Sequence, residues 1–289
     1  MRQIRHPGRA SVQRLQAVPA TTRQLELALP PGRSLLEAVQ FALAPFGAQS
    51  AVLSLQGGAF FPFAYALPAL SKTPEHAVYF SDRLDADEPV QLEFACVTYG
   101  QRDGQPWLHC HAAWMQRDGA RRCGHVLPEH ALVCEPVKAS VWLIEGAQFQ
   151  VQPDTETHFS LFKPEPAGTG STRLSAPTAW AVRLAPNIDV CTALEAICRQ
   201  HGITDAVIHG GVGSTVGAVF EDGRVVEPFV TEVLIRSGRV QSGSDGEPVA
   251  QIDVSLVDYC GGVHRGRLMH GANPVLVTFE LLLVAAAAS

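Results

Sequence analysis

The sequence predicts an α+β protein made of two tandem copies of one unit, each a mostly antiparallel sheet covered by a helix. The order strand, helix, strand and glycine-rich segment occurs near the start of the chain and again after residue 178. A long apolar segment then ends each half. The chain has 289 residues, of which 46% are apolar and 17% charged, so it can bury one or two substantial cores.

The first unit is expected over residues 22–150. Its opening segment, 22–29, alternates in polarity as a half-buried strand does. Ser34 then precedes apolar residues at helical spacing, so it is the expected N-cap of a helix. The segment 51–58, AVLSLQGG, is typical of a short buried strand that runs into a glycine turn.

The second unit is expected over residues 175–289. A strand is predicted at 179–185, and the helix after it begins near Asp189 and ends at Gly202. DAVIHGGVGS, residues 205–214, again indicates a strand that enters a glycine-rich turn. An anion cradle is the alternative interpretation of these glycines.

Two segments lie outside the repeated order. FKPEPAGTGS, residues 162–171, has the composition of a linker. The first unit also contains about thirteen more residues than the second, and we expect them in the loop 71–88.

The termini and the charge bear on partners. Residues 1–21 form a basic arm with Arg2, Arg5, Arg9 and Arg14 and no acidic residue, and such an arm can contact phosphates. A frayed, solvated terminus is the simpler interpretation. The whole chain carries a net charge of −6, which argues against a broad nucleic-acid footprint.

Cysteine usage and hydropathy indicate a cytoplasmic protein that does not enter a membrane. The seven cysteines are an odd number and contain no CxxC pair, as in a reduced protein. The N-terminus has no apolar core of the kind that secretory signals need. The most apolar run, VLVTFELLLVAAAA, contains Glu280 and is too short to span a bilayer.

The segment WLHCHAAW carries the candidate chemistry. If it is a strand, His109 and His111 project from one face and Cys110 from the other. A turn at Asp118-Gly119 then returns the chain so that His125 comes alongside them. The three imidazoles could hold one divalent metal ion, or they could be ordinary half-buried polar residues.

Three histidines without a fourth protein ligand resemble an open zinc site, in which water or substrate takes the free position. Zinc is the first expectation, although imidazole also binds iron, copper, nickel and manganese. Glu129 and His130 follow His125 and could supply a fourth ligand or a hydrogen-bond acceptor behind a ligand. Glu129 is the candidate catalytic residue for proton transfer.

The stretch HCHAAWMQRDGARRCGHVL resembles the signature of the PPC (plants-and-prokaryotes-conserved) domain, which has HLH, a small glycine turn, GGHL and an apolar strand. The resemblance implies an α+β fold and, as in prokaryotic members, a homo-oligomer that is a compact trimer. It also implies metal binding through His109, His111 and His125. Plant members add a DNA-binding hook, but RGR at 265–267 is followed here by Leu268 in place of proline, so the resemblance is to the type without an AT-hook.

The second unit departs from this pattern. Its residues at the three histidine positions are Gln251, Asp253 and Arg267, which form a poor metal site. It keeps the Gly213-Ser214 pair of the family pattern, whereas the first unit has Gly58-Ala59 at the corresponding place. We therefore expect a substrate-binding pocket in which unlike halves meet and Arg267 holds a carboxylate or phosphate. A degenerate second copy that serves only as scaffold is the alternative.

Two functions follow from the sequence. The first is a metal-dependent hydrolase or lyase, or a binder, acting on a small carboxylated or carbonyl compound at the histidine site. The second is a regulatory or assembly module that associates with DNA through the basic arm, with oligomerisation adding avidity.

Overall fold

The computed structural model describes residues 2–168 and 177–286. Two α-helices, α1 (Leu35–Leu43) and α2 (Val190–His201), and a short 3-10 helix (Ala44–Phe46) accompany a large set of strands. The strands are β1 (Leu15–Leu29), β2 (Ala51–Gln56), β3 (Ala59–Ala66), β4 (Pro68–Leu70), β5 (Val78–Phe80), β6 (Leu84–Asp85), β7 (Val90–Arg102), β8 (Gln105–Met115), β9 (Arg121–Glu135), β10 (Val137–Glu145), β11 (Ala147–Pro153), β12 (Ser160–Pro166), β13 (Ala179–Leu184), β14 (Ala206–Val219), β15 (Val225–Ser242), β16 (Pro248–Asp258), β17 (Val263–Arg267) and β18 (Val275–Ala285).

Almost all strand pairs are antiparallel, as the sequence predicts. The first half contains the order β1-β10-β2-β7-β8-β9, and the second half contains β13-β18-β14-β15-β16-β17. Strand β1 joins them, because Leu15 to Ala20 pair with β13 and Thr21 to Leu29 pair with β10. The sheet therefore runs continuously from one half into the other.

The two helices begin where the sequence predicts. Ser34 accepts a hydrogen bond from the Glu37 backbone N–H, and Glu37 accepts one from the Ser34 backbone N–H, which forms a capping box. Asp189 caps α2 through the Thr192 N–H, and Gly202 ends that helix in the left-handed conformation at φ 66°. Each helix buries one apolar face against the sheet of its own half.

A third apolar cluster lies where the halves meet. Trp142 from β10 stacks on His209 from β14, with ring centroids 3.9 Å apart and planes 17° from parallel. Phe149 and Phe162 from the β11–β12 hairpin pack in the same cluster. This cluster packs one face of each half against the other half. The candidate site lies beside the cluster.

The expected linker is partly wrong. Residues 160–166 form β12, which pairs along its whole length with β11, so the first part of the 162–171 segment is strand. Proline did not prevent this, since β12 has only β11 beside it and its other edge needs no ladder hydrogen bonds. Residues 169–171, and the residues of the predicted second unit at 175–176 and 287–289, lie outside the described residues.

The N-terminal arm is not the free basic segment that the sequence suggests. Arg2 forms an ion pair with Glu227 at 2.6 Å, and Arg14 contacts Glu156. Between them, the buried His6 contacts the Leu276 carbonyl through Nε2 at 2.7 Å. The arm therefore packs along both halves, and two of its arginines already have carboxylate partners.

The glycine-rich segment after residue 209 is also not a turn. It lies inside the long strand β14, whose pairing with β18 shifts register twice. Gly210 and Gly211 have positive φ angles of 68° and 106°, which explains glycine at these irregular positions. At Gly213 a Cβ atom would lie 2.5 Å from the Phe279 ring, so close packing requires glycine there.

Within the described residues, no helix is long and apolar enough to cross a membrane. All seven cysteines lie in the described part of the chain, and none forms a disulfide.

Candidate metal centre and cavity

The histidine motif lies on two neighbouring strands that face the second half of the chain. On β8, His109 and His111 project from the same face, and His125 on β9 stands opposite His111 in register. The Nε2 atoms of His109 and His111 are 3.1 Å apart, and His111 Nε2 is 3.3 Å from His125 Nδ1. Cys110 points the other way, into the core of the first half.

Two buried glutamates from the second half join this cluster. Glu232 on β15 contacts His111 Nε2, and one atom from each histidine and from Glu232 lies within 4.8 Å of all the others. Glu280 on β18 is 1% exposed, and its Oε2 lies 3.0 Å from His109 Nδ1. Arg183 lies opposite Glu280 in register and is also buried.

The hydrogen bonds decide which ring nitrogen of two imidazoles faces the cluster. Glu280 and the Val233 carbonyl are acceptors, so His109 and His111 donate to them through Nδ1–H. Their Nε2 atoms then present lone pairs to each other and to the Glu232 carboxylate. Acceptors at this spacing repel unless a proton or a metal ion lies between them.

The donor set fits a divalent ion. With zinc–nitrogen bonds of about 2.0–2.1 Å in a tetrahedral site, neighbouring ligand atoms lie about 3.3 Å apart. The separations of 3.1 and 3.3 Å between the imidazole nitrogens are close to that value. The carboxylate behind His109 and the carbonyl behind His111 are the partners that metal-bound histidines ordinarily have.

Two histidines of the cluster have displaced pKa values. Burial lowers the pKa of His109, but attraction to Glu280 outweighs burial and leaves that pKa raised. Burial, followed by repulsion from His109 and His111, lowers the pKa of His125 well below its ordinary value. These shifts favour the neutral form of His125, which is the form that binds metals, and they favour a positive charge at His109, where a metal ion would compete with a proton for the inward nitrogen.

A cavity of about 450 Å³ opens beside the cluster, at the junction of the halves. His109, His125, Glu232 and Glu280 form part of its wall, and the buried His111 lies behind them. The 71–88 segment contributes β5 to the wall. Strands β7, β8, β9, β14, β15 and β18 and the β11–β12 hairpin form the rest.

Three other predicted site residues line this cavity: Glu129, Gly213 and Ser214. Glu129 and its neighbour His130 are exposed on β9 and lie outside the four-residue cluster. Ser214 is buried, and its Oγ accepts a hydrogen bond from Val277 N–H at 3.1 Å, which leaves the hydroxyl proton to donate.

Arg267 lies elsewhere, which corrects the expectation that it would hold a substrate in this pocket. It belongs to the edge strand β17 and forms an ion pair of 3.1 Å with Asp253 on β16. Its charge is therefore held at the protein surface by a carboxylate directly opposite. Asp253 and Arg267 face each other across their strands as His111 and His125 do.

The expectation of three histidines without a further protein ligand needs correction too, because Glu232 belongs to the cluster. Glu232 lies in a strand whose sequence, VVEPFVTEVLIRSG, carries no ligand motif. Glu280 is the one acidic residue in a mostly apolar buried strand. That was the one sequence signal that could have indicated its role beside His109. An acid in such a strand needs a buried partner.

Comparisons with solved structures found distant similarities. The chain resembles a plant- and prokaryote-conserved protein from Pyrococcus horikoshii (14% identity, TM-score 0.41, covering 50% of this chain and 94% of that one). It also resembles a metal-containing protein from Archaeoglobus fulgidus (17%, 0.43, 51% and 99%) and a protein from Salmonella cholerae-suis (14%, 0.41, 52% and 99%). No curated protein matches the chain significantly.

A family model matches residues 172–287, the half that carries Gln251, Asp253 and Arg267 and lacks the histidine motif. The histidine motif that suggested the resemblance lies outside the matched residues. The model is that of the Plants and Prokaryotes Conserved (PCC, here PPC) domain, so it is this second half of the chain that matches the family.

Proposed function

We propose that this protein binds one divalent ion, zinc in the first instance, on His109, His111, His125 and Glu232. The observation that carries the proposal is the convergence of one possible ligand atom from each of these four residues, all within 4.8 Å of one another. Buried acceptors at such spacing are costly without a cation. On its cavity side, the cluster leaves the ion room for a further ligand.

We further propose that the cavity holds a small carboxylated or carbonyl compound, and that the protein is a hydrolase or lyase. When bound, the ion supplies Lewis acidity to an oxygen of that compound. Glu280 holds the His109 ring in place, and Ser214 can donate a hydrogen bond from the cavity wall. Glu129, at the exposed rim, is the candidate for moving a proton between the compound and water.

The proposal includes a tandem arrangement of two PPC-like units. The same strand order in the two halves supports it, as does the matching register of His111 with His125 and of Asp253 with Arg267. In this account the second copy has lost the histidines but supplies Glu232 and Glu280 to the first. It would then be a part of the site, and removing it would abolish metal binding.

A trimer of the whole chain remains a proposal drawn from the family resemblance. Light scattering coupled to size-exclusion chromatography measures it directly: a trimer of the 31.0 kDa chain is expected, and a monomer would contradict it.

Elemental analysis of the purified protein tests the metal proposal. We expect close to one ion per chain, and its loss in His109→Ala. His264→Ala is the matched control, because His264 also contacts a carboxylate, Asp258, at 2.8 Å but lies outside the cluster. Equal metal content in both variants would contradict the proposal.

A further inference from the structure

The cavity beside the metal cluster has two chemically different ends. At the inner end, a divalent ion would bring two positive charges against the single negative charge of Glu232. Arg183 lies opposite Glu280 in strand register and brings a nearby positive charge, and its partner Asp154 is also paired with Lys163. On the proposed function, this end keeps about one positive charge and attracts an anionic group.

Aromatic rings form the middle of the cavity. Trp107 lies two residues before His109 on the same face of β8, and Phe162 comes from the hairpin opposite. Phe80 packs against His125 with centroids 4.9 Å apart, and Tyr79 stacks on Phe159 at 5.7 Å. These walls favour a flat apolar body between the two ends of a ligand.

The outer end carries a cation. Arg102 lines the cavity, and its guanidinium lies over the Trp107 ring, 5.3 Å from the centroid. Its ion pair with the exposed Asp103 is long, at 4.0 Å, and the Arg102 side chain is 49% exposed. It can therefore turn to an anionic ligand at little cost.

The distance between the ends follows from the strand register. Thr98 lies opposite His109 and Arg102 lies opposite Gln105, four residues further along the hairpin. Four residues of antiparallel strand span about 14 Å, so the Arg102 guanidinium, folded back over Trp107, lies roughly 10 Å from the metal cluster.

We propose that the cavity binds a flat aromatic acid that carries an anionic group at each end. One group would coordinate the ion, the ring would lie among Trp107, Phe162 and Phe80, and the second group would pair with Arg102. This inference rests on the proposed metal site. It narrows the proposed ligand of the cavity from small carboxylated or carbonyl compounds to aromatic diacids.

Calorimetric titration of the zinc-loaded full chain tests the inference with three probes. They are 3-(4-carboxyphenyl)propanoate, its monoacid 3-phenylpropanoate, and suberate, an aliphatic diacid of similar length. We expect the aromatic diacid to bind about tenfold more tightly than either of the others. Equal affinity for the diacid and the monoacid would overturn the role of Arg102, and equal affinity for suberate would overturn the aromatic body.

Two variants assign the outer contact. In Arg102→Gln, the preference for the aromatic diacid over its monoacid should fall to within about twofold, with monoacid affinity and zinc content unchanged. Arg117→Gln is the control, since Arg117 is an exposed arginine that pairs with Glu88 at 3.4 Å and does not line the cavity. A preference that survives in Arg102→Gln, or that falls equally in both, contradicts the inference.

The failure of this inference is distinguishable from the failure of the metal site. A chain that holds one zinc ion but does not prefer the aromatic diacid keeps the proposed metal site and loses only the ligand class. A chain without zinc at the histidine cluster loses both.

Discussion

Replacing Glu280 by glutamine isolates the charge of the buried carboxylate that holds His109. The side chain keeps its size, and its amide oxygen can still accept the hydrogen bond that Glu280 accepts from His109 Nδ1–H at 3.0 Å. The substitution removes the negative charge of Glu280. That charge makes the His109 imidazole a better metal ligand, so its loss should weaken metal binding. Arg183 retains its ion pair with Asp154 at 3.3 Å, so the fold should survive the substitution.

Loss of an acceptor behind a metal ligand ordinarily weakens metal binding about 10- to 100-fold. Because glutamine preserves the hydrogen bond, we expect Glu280→Gln to lower zinc affinity about tenfold, which is about 1.4 kcal/mol. Glu280→Ala, which also frees the ring to rotate, should lower the affinity closer to 100-fold. Competition with a chelating dye of known zinc affinity measures both variants at one fixed pH.

Glu195→Gln provides the matched control. Glu195 is also a buried glutamate that contacts a histidine, His270, at 2.9 Å, but both lie outside the metal cluster. The zinc affinity of the Glu195→Gln variant should equal that of the unaltered protein. Zinc affinity in Glu280→Gln within twofold of the unaltered protein, or an equal loss in Glu195→Gln, would refute the reasoning.

Three further predictions address the ligand set, the junction and the arm. Glu232→Gln should lower zinc affinity at least about tenfold because it removes a charged ligand, whereas the exposed Glu227→Gln should leave it unchanged; the dye competition decides, and equal affinities would exclude Glu232 as a ligand. Burial lowers the pKa of His209 to about 4, so the unfolded chain takes up the proton first and stability is lost as pH falls from 6.5 towards 4. Between pH 7 and pH 5, the free energy of unfolding should therefore fall by about 1–2 kcal/mol less in His209→Phe, which keeps the stack on Trp142, than in the unaltered protein. Urea unfolding at the two pH values measures this difference, and an equal fall in both proteins would contradict the prediction. Deleting residues 2–12 should lower the melting temperature by several degrees because the deletion exposes a packed surface, and an unchanged value in calorimetry would mean that the arm contributes nothing to stability.

Much of the fold is predictable from local sequence signals. Ser34, Asp189 and Gly202 mark helix ends through side-chain capping and left-handed geometry, which depend only on neighbouring residues. The alternation in WLHCHAAW likewise fixes the shared face of His109 and His111. These features follow from neighbouring residues along the chain, so the sequence alone predicts them.

The parts that the sequence does not predict depend on contacts between distant segments. Glu232 joins a site built more than a hundred residues earlier because β15 packs on the face of β8, and no local pattern specifies that packing. The glycines of β14 indicate a turn locally but serve a bulged strand packed under Phe279. The sequence pattern aligns Arg267 with His125, but the ion pair with Asp253 accounts for the position of Arg267 in the structure.

Anomalous X-ray diffraction at the zinc edge, on crystals of the zinc-loaded full chain, tests the central claim most directly. The account predicts one strong peak about 2.0–2.2 Å from a nitrogen of His109, His111 and His125 and from an oxygen of Glu232. A peak at another place, or none between these four side chains, would contradict it.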